Sequence, residues 1–231
     1  TKDIDLLGHL QNSVAPVTAV IREICHQPAP ADGLTFDPAS VTGALIKEDA
    51  DYEGVRVTFT GHLESARISM VVDIGFGDVV YPGSEETEYP TMLDDEPPKL
   101  RGYSRETAVA EQYEAMVKLG MLNSRMKDFY DIWLLSRQFD FNGEALAKAI
   151  MKTFAQRGTA INAEPAAWTS DFANDPAKVT QWKAFVRKSR LAEAPNELTT
   201  VVDGIEGFLA PPAAALVRGS RFEHVWQAPG P

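Results

Sequence analysis

The first half of the chain alternates short apolar runs with polar segments. Residues 2–8 alternate polar and apolar side chains and predict a strand, and three further β-rich apolar runs lie at 44–46, 55–59 and 68–74. Apolar residues at near-helical spacing predict a helix over 11–26. These elements together predict a small mixed β-sheet backed by one helix.

The second half of the chain has the apolar spacing of amphipathic helices. Before it, residues 77–102 are rich in Pro, Glu and Asp, which predicts an extended connection. We expect the Ala/Pro stretch at 210–215 to lead into a loosely packed tail. The predicted helices are 105–122, 127–138, 143–156, 176–190 and 197–209. The fold class is therefore α+β, with a sheet domain at 1–100 and a C-terminal helical bundle at 101–231.

Composition narrows the function classes. The 231 residues are 44% hydrophobic with a net charge of −11, which argues against generic binding to DNA or other nucleic acid because that affinity rests on Lys and Arg. The single cysteine, Cys25, excludes an internal disulfide framework. We see no membrane-spanning run or secretion leader and expect a cytoplasmic protein. Because the chain begins at Thr1 rather than Met, we also expect that an upstream element is missing.

Two acids lie on the first predicted strand. Asp3 and Asp5 are two residues apart, so both carboxylates leave the same face of the strand. Ile4 and Leu6 occupy the opposite face, which we expect to be buried. Paired carboxylates suit Mg²⁺ and a nucleoside triphosphate. The alternative is an acidic strand end that binds no metal.

Asp73 ends the apolar run 68–72 and precedes Gly75 and Gly77. A third carboxylate on a neighbouring strand would complete a two-metal site of the kind that transfers nucleotidyl groups. The alternative is that Asp73 only begins a turn ahead of the glycines. The residues alone leave both interpretations open.

The densest polar cluster, 123–131, stands between two predicted helices and opens the second. Asp128 and Asp131 are three residues apart and share one helix face in its first turn, where the helix dipole favours negative charge. In a functional interpretation Lys127 or Arg125 contacts a triphosphate, and Asp128 or Asp131 orients a catalytic group. In a structural one the segment is an ordinary helix start.

The remaining motifs indicate a helix C-cap and exclude several classes of active site. Arg157-Gly158-Thr159 follows a predicted helix and is interpreted as its C-cap. The four scattered histidines accompany no nucleophile elbow, and the sequence has neither a Walker loop nor a dinucleotide fingerprint. Phosphate chemistry in this chain would therefore use metal and acids.

Four segments in order resemble the AbiEii-type nucleotidyltransferase toxin family, a branch of the polymerase-β-like nucleotidyltransferase superfamily. They are Thr1 to Gly8, Val72 to Asp78, Glu106 to Glu111, and Asn123 to Asp131. The resemblance runs from Thr1 to about Thr159. It implies a toxin of a bacterial toxin–antitoxin or phage-defence system that transfers a nucleoside monophosphate from an NTP, in several members to the 3′ end of tRNA.

By this resemblance Asp3 and Asp5 match the family's metal-binding pair, Asp73 the acid on the following strand, and Asp128 the acid of the helical Lys/Arg-Asp motif. The resemblance thus implies catalytic Asp3, Asp5, Asp73 and Asp128, Mg²⁺ as metal, an NTP as co-substrate, and a cognate antitoxin as partner. Lys127, Arg125 and Gln112 are the residues predicted to bind the nucleotide.

The chain departs from the family at Gln112. The family usually has Ala-Glu-Lys where this chain has Ala110-Glu111-Gln112, so a neutral amide replaces a lysine expected to meet phosphate. Lys118 or Lys127 would have to compensate. Two alternatives to a tRNA-modifying toxin therefore stay open: a catalytically degenerate binding module, and a nucleotidyltransferase with a small-molecule acceptor such as an antibiotic.

Overall fold

The protein is described by a computed structural model over residues 4–28, 32–49, 52–91 and 96–230. The chain divides into two compact units, Thr1–Asp78 and Val79–Pro231. The domain boundary expected near residue 100 lies within the second of these units.

The first unit contains the four-stranded mixed sheet that the apolar runs predict. Its strand order is β1-β4-β3-β2, with β1 parallel to β4 and the other neighbours antiparallel. The elements are β1 (Ile4–Gly8), α1 (Val14–Cys25), β2 (Leu34–Asp49), β3 (Tyr52–Leu63) and β4 (Ala66–Phe76). The predicted sheet and its backing helix are confirmed.

Helix α1 covers one part of one sheet face. Its Val17 and Ile21 are buried in a cluster with Val55, Val57 and Val72 of the central strands. The helix packs mainly on β2 and β3. Burial of this apolar face is what attaches a helix of this length to the sheet.

The edge strand β1 is less covered than expected. Ile4 and Leu6 are 49% and 48% exposed, so the prediction that their face is buried is wrong within this unit. Strand β1 lies at the edge of the sheet, beyond β4, while α1 lies over β2 and β3. Strand alternation gives the face on which a side chain lies, but not whether a helix covers that position.

The second unit begins with a feature that the sequence analysis missed. Strands β5 (Glu85–Glu88) and β6 (Lys99–Gly102) pair antiparallel within the segment predicted to be an extended connection. Most of their side chains are exposed, so no alternation of apolar residues marks them. Glu86 lies opposite Arg101 and Glu88 opposite Lys99, and such cross-strand pairs of opposite charge stabilise a ladder.

Helices form the rest of the second unit, as predicted. Helices α2 and α4 begin at capping side chains, because Ser104 accepts a hydrogen bond from the backbone of Thr107, and Asn142 accepts one from that of Ala145. The core between the helices is rich in fully buried aromatic side chains. The helices are α2 (Arg105–Leu119), α3 (Met126–Gln138), α4 (Gly143–Gln156), α5 (Ser170–Asn174), α6 (Pro176–Ser189) and α7 (Leu198–Val217).

Helix α7 continues beyond residue 209, its predicted end, and through the Ala/Pro stretch at 210–215 that was expected to lead into a loosely packed tail. The helix continues through Pro211 and Pro212, and Pro212 and Ala213 are buried. Burial of its apolar face offsets the usual cost of proline inside a helix. By length and composition α7 also qualifies as a membrane span, but Val201, Ile205 and other apolar residues of it lie in the core of this unit.

The segment after α7 folds back onto the unit. Trp226 forms an antiparallel bridge with Phe141, with both backbone N–H···O distances at 3.0 Å. Its indole N–H donates to the carbonyl oxygen of Ser136 at 2.7 Å, and its ring lies 4.9 Å from that of Phe208. A β-carbon on Gly143 would lie 2.1 Å from the carbonyl oxygen of His224, so only glycine admits this close approach.

Candidate functional site

In the first unit, two of the predicted acids lie side by side on the sheet. Strands β1 and β4 are parallel, and Asp5 and Asp73 are register partners in them. Paired residues point to the same face, and Val72 and Ile74, on either side of Asp73, are buried on the opposite face with α1. Asp5 is exposed, whereas Asp73 is 7% exposed. The alternation of each strand therefore brings both carboxylates to the sheet face away from α1.

Asp73 is held by an arginine that the sequence analysis did not single out. Arg56 on β3 is the register partner of Asp73. Its Nε donates to Oδ1 at 2.7 Å and its Nη2 to Oδ2 at 2.6 Å, a bidentate pair with both hydrogen bonds aligned. The available signal was a charged residue between Val55 and Val57, two apolar residues that point to the other face.

The carboxylates provide a partial donor set for a divalent metal. Asp3 lies outside the described residues, and within the described part of the chain no group of three His, Cys, Asp or Glu side chains could hold a metal ion. Asp5 and Asp73 have the hard oxygen donors that Mg²⁺ prefers. They fit the ion on the condition that Arg56 releases at least one oxygen of Asp73.

In the second unit, the predicted polar cluster forms the turn before α3 and its first turn. Asn123 is fully buried, accepts a hydrogen bond from the backbone N–H of Arg125 at 2.8 Å, and is itself held through its carbonyl by Lys178 Nζ at 2.7 Å. Its Nδ2 has no hydrogen-bond partner among the described residues. The turn is thus fixed from α6 and keeps one buried donor unused.

Asp128 lies in the first turn of α3 and is 5% exposed. Arg125 Nε lies 2.8 Å from Asp128 Oδ2, yet this oxygen accepts no hydrogen bond within the described residues, so the contact is an ion pair with poor alignment. Burial raises the pKa of Asp128 above its ordinary value; Arg125 and Lys127 oppose that increase, and Asp131 adds to it. This carboxylate is therefore a stronger base than an exposed aspartate.

Lys127, Asp131 and Gln112 meet at one oxygen atom. Lys127 Nζ donates to Asp131 Oδ2 within α3, and Gln112 Nε2 of α2 donates to the same Oδ2 at 3.2 Å. Gln112, the residue at which the chain departs from the expected lysine, thus lies beside the cation of Lys127. Sequence spacing does not reveal this contact, because Gln112 and Asp131 are on different helices.

The C-cap predicted at Arg157 is present and has a second role. Gly158 has a φ of +65°, the left-handed conformation that ends many helices. Arg157 Nη1 donates to the buried carboxylate of Glu114 at 3.1 Å, and the hydroxyl of Thr159 donates to its other oxygen. The cap therefore anchors α4 to α2 through a buried acid that the sequence analysis did not single out.

The structure thus brings the described candidate residues together in two separate groups. Asp5 and Asp73 form one in the first unit. Gln112 and Lys127 contact one carboxylate in the second unit, where Arg125 contacts Asp128.

Comparisons with known proteins give a matching family and a likeness to solved structures. The family described as nucleotidyl transferase AbiEii toxin, type IV toxin–antitoxin system, matches residues 1–214. Among solved structures, a proposed nucleotidyltransferase from H. pylori has 14% identity and a TM-score of 0.47, over 96% of this chain and 81% of that one. JHP933 from Helicobacter pylori has 13% identity and a TM-score of 0.45, over 95% and 78%. No curated protein matches significantly.

Proposed function

Because this chain belongs to the AbiEii family of nucleotidyltransferase toxins, we propose that it transfers a nucleoside monophosphate from an NTP to a hydroxyl acceptor in a Mg²⁺-dependent reaction. The family is one of type IV toxin–antitoxin systems, so an NTP substrate and an antitoxin counterpart follow from membership. The metal, the acceptor and the residues that act are the parts that we propose.

The observation that carries the proposal is the pairing of Asp5 with Asp73 across β1 and β4. We assign Asp3, Asp5 and Asp73 as the metal ligands. A bound divalent ion would neutralise the triphosphate and activate the attacking oxygen. Asp5 is exposed, whereas Asp73 is buried and accepts two hydrogen bonds from Arg56.

In the second unit, taken by itself, several residues have chemistry that suits the proposed reaction. Lys127 and Arg125 are exposed cations at the start of α3, suited to contact the phosphates of the nucleotide. Asp128 is buried, and its raised pKa makes it suited to hold a proton from the acceptor hydroxyl. Gln112 contributes a neutral hydrogen bond where the family usually has a lysine.

We propose tRNA in the cytoplasm as the acceptor, with growth arrest or phage defence as the outcome. The net charge of −11 makes a broad electrostatic RNA interface unfavourable, so recognition would be confined to a short end of the RNA. The same charge favours a cationic small-molecule acceptor as the first alternative.

A catalytically silent binding module is the second alternative, and Gln112 is the observation that favours it. Against it, the cation of Lys127 lies on the same carboxylate oxygen as the Gln112 amide, so positive charge is retained at that place. If MgATP, MgGTP, MgCTP and MgUTP all fail to raise the melting temperature, the binding module is supported, since a ligand of the folded state stabilises it.

The deciding experiment is label transfer by the full-length protein with Mg²⁺, each α-labelled NTP and total tRNA. Asp5→Asn is the test variant, and Asp203→Asn, an exposed aspartate on α7, is the matched control. We expect label on RNA with the wild type and the control and none with Asp5→Asn. Equal labelling by all three would overturn the role of Asp5, and no labelling of RNA or protein would overturn the proposed reaction.

A further inference from the structure

Lys127 of α3 and Gln112 of α2 both donate to Asp131 Oδ2, and their side chains differ in exposure. The Lys127 side chain is 63% exposed and reaches Asp131 along the surface of α3, whereas Asp131 is 24% exposed. Gln112 reaches the same oxygen from α2 and is partly buried. Its amide has to present Nε2 to this oxygen, because its own Oε1 would repel the carboxylate.

Lys127 is weakly retained by Asp131. An exposed ion pair of this kind contributes little to stability. The lysine also precedes the acid in the i,i+4 pair, which is the less favourable order on a helix, and it lies in the first turn, where the helix dipole disfavours a cation. An anion near the start of α3 would therefore compete successfully with Asp131 for Lys127.

An anion that draws Lys127 away from Asp131 would not draw the Gln112 amide away as well. It is uncharged, so a phosphate attracts it far less than it attracts an ammonium group, and its backbone lies on another helix. When Lys127 turns to an anion, the amide would still donate to Asp131. The partly buried carboxylate would then not lose both of its described hydrogen bonds at once, which would be costly.

We propose that Gln112 is a positioning residue that acts on Lys127 through Asp131: Asp131 holds the lysine in the free protein, and Gln112 keeps its hydrogen bond to the carboxylate when Lys127 moves to a nucleotide phosphate. This inference rests on the proposed function, because it takes the anion to be the triphosphate of the NTP. It makes Gln112 a working replacement for a lysine rather than a sign of a lost site.

The test is a double-mutant cycle on nucleotide affinity, measured by titrating the full-length protein with each MgNTP. Gln112→Met keeps the length of the side chain and removes the donor, and Lys127→Met removes the cation. We expect Gln112→Met to weaken binding about threefold to tenfold in the wild-type background and by less than about 1.5-fold in the Lys127→Met background. A purely structural role of Gln112 would give the same loss in both backgrounds.

Two matched controls are available in the second unit. Gln138→Met changes an exposed glutamine at the end of α3, and Lys148→Met breaks another exposed i,i+4 pair, that with Glu144. Both are expected to leave affinity unchanged, and loss of affinity in either would count against the inference.

The outcomes also separate this inference from the proposed function. If the wild type binds no nucleotide, both are overturned. If Lys127→Met binds as well as the wild type, the positioning role is overturned and Lys127 is no longer a nucleotide contact, while the proposed transfer reaction stands. If Lys127→Met weakens binding but Gln112→Met does not, or does so equally in both backgrounds, only the positioning role is overturned. Loss that depends on the presence of Lys127 supports it.

Discussion

Asp73 in the sheet and Asp128 in the helical unit are both buried acids with an arginine beside them, yet the two pairs differ in kind. Arg56 donates two aligned hydrogen bonds to Asp73, at 2.7 and 2.6 Å. Arg125 comes within 2.8 Å of Asp128 Oδ2, an oxygen that accepts no hydrogen bond within the described residues. An arginine close to a carboxylate therefore does not by itself provide the carboxylate with hydrogen bonds.

The origin of the difference is where each arginine is attached. Arg56 lies on the strand next to Asp73 in direct register, so the sheet ladder sets the distance and direction of the pair. Arg125 is the N-cap residue of the helix that carries Asp128, three residues away, with a side chain that is 60% exposed. The sheet therefore satisfies its acid, whereas the helix start leaves its acid poorly paired, and burial raises the pKa of Asp128 despite the nearby Arg125.

The largest expected effect is that of Asp128→Asn, which should lower activity and raise stability. In Asp128→Asn, nucleotidyl transfer should fall by about 100-fold or more, because a positioned proton acceptor is lost. The melting temperature at pH 7 should nevertheless rise, by roughly 2–4 °C, because an uncharged amide is easier to bury than a carboxylate. Label transfer and thermal unfolding measure the two effects, and a fall in both would mean that Asp128 stabilises the fold.

The second effect contrasts the two arginines. Arg56→Met should destabilise the protein by about 1–3 kcal/mol, because it leaves a buried carboxylate without its two donors. Arg125→Met, the matched change at an exposed partner, should cost less than about 0.5 kcal/mol. Urea unfolding of both variants measures the difference. Added Mg²⁺ should also raise the melting temperature of Arg56→Met more than that of the wild type, and equal costs for the two variants would contradict the comparison.

The third effect is a pH dependence with a definite sign. The pKa of Asp128 is raised in the folded state, so folding favours the protonated carboxyl. This contribution to the free energy of unfolding is fully present below the pKa of the unfolded state and is lost as pH rises through the pKa of the folded state. The stability gain of Asp128→Asn should therefore be largest near pH 7 and shrink as the pH is lowered. Thermal unfolding of both proteins from pH 7 to 4 tests this, and a gain that grew on acidification would reverse the sign.

The smallest effect concerns the third acid, Asp131. Asp131→Asn should tighten NTP binding about twofold to threefold, because the carboxylate competes with phosphate for Lys127 and repels the triphosphate. The conservative change keeps an oxygen that accepts from Lys127 and Gln112. Nucleotide titration at two salt concentrations measures it, and weaker binding would show that the charge of Asp131 is needed to orient the lysine.

The periodicity of apolar and polar residues predicted the features that depend on neighbouring residues in the sequence. Strand alternation places Asp5 and Asp73 on one sheet face, and the helical spacing of apolar residues predicted α2, α3 and α4 to within a few residues. Burial and partners depend on the tertiary structure instead. Arg56 could not be paired with Asp73 before the register of β3 and β4 was known, and the Gln112–Asp131 contact joins two helices.

The elements that were wrong in the sequence analysis failed for similar reasons. The pairing of β5 with β6 involves mostly exposed side chains, so no apolar pattern reports it. Helix α7 passes through Pro211 and Pro212 because its apolar face is buried by the rest of the unit, which no local propensity includes. The roles of Asp3, Asp5, Asp73 and Asp128 in catalysis stay predictions.

The return of the chain after α7 has a practical consequence for anyone who dissects the protein. The family match ends at residue 214, yet Trp226 covers Phe208 and bridges to Phe141. A fragment cut at the family boundary would expose both aromatic rings to water and free the end of α7. Expression trials and crystallisation should therefore retain the sequence at least through Trp226, and a fused tag is better placed after it.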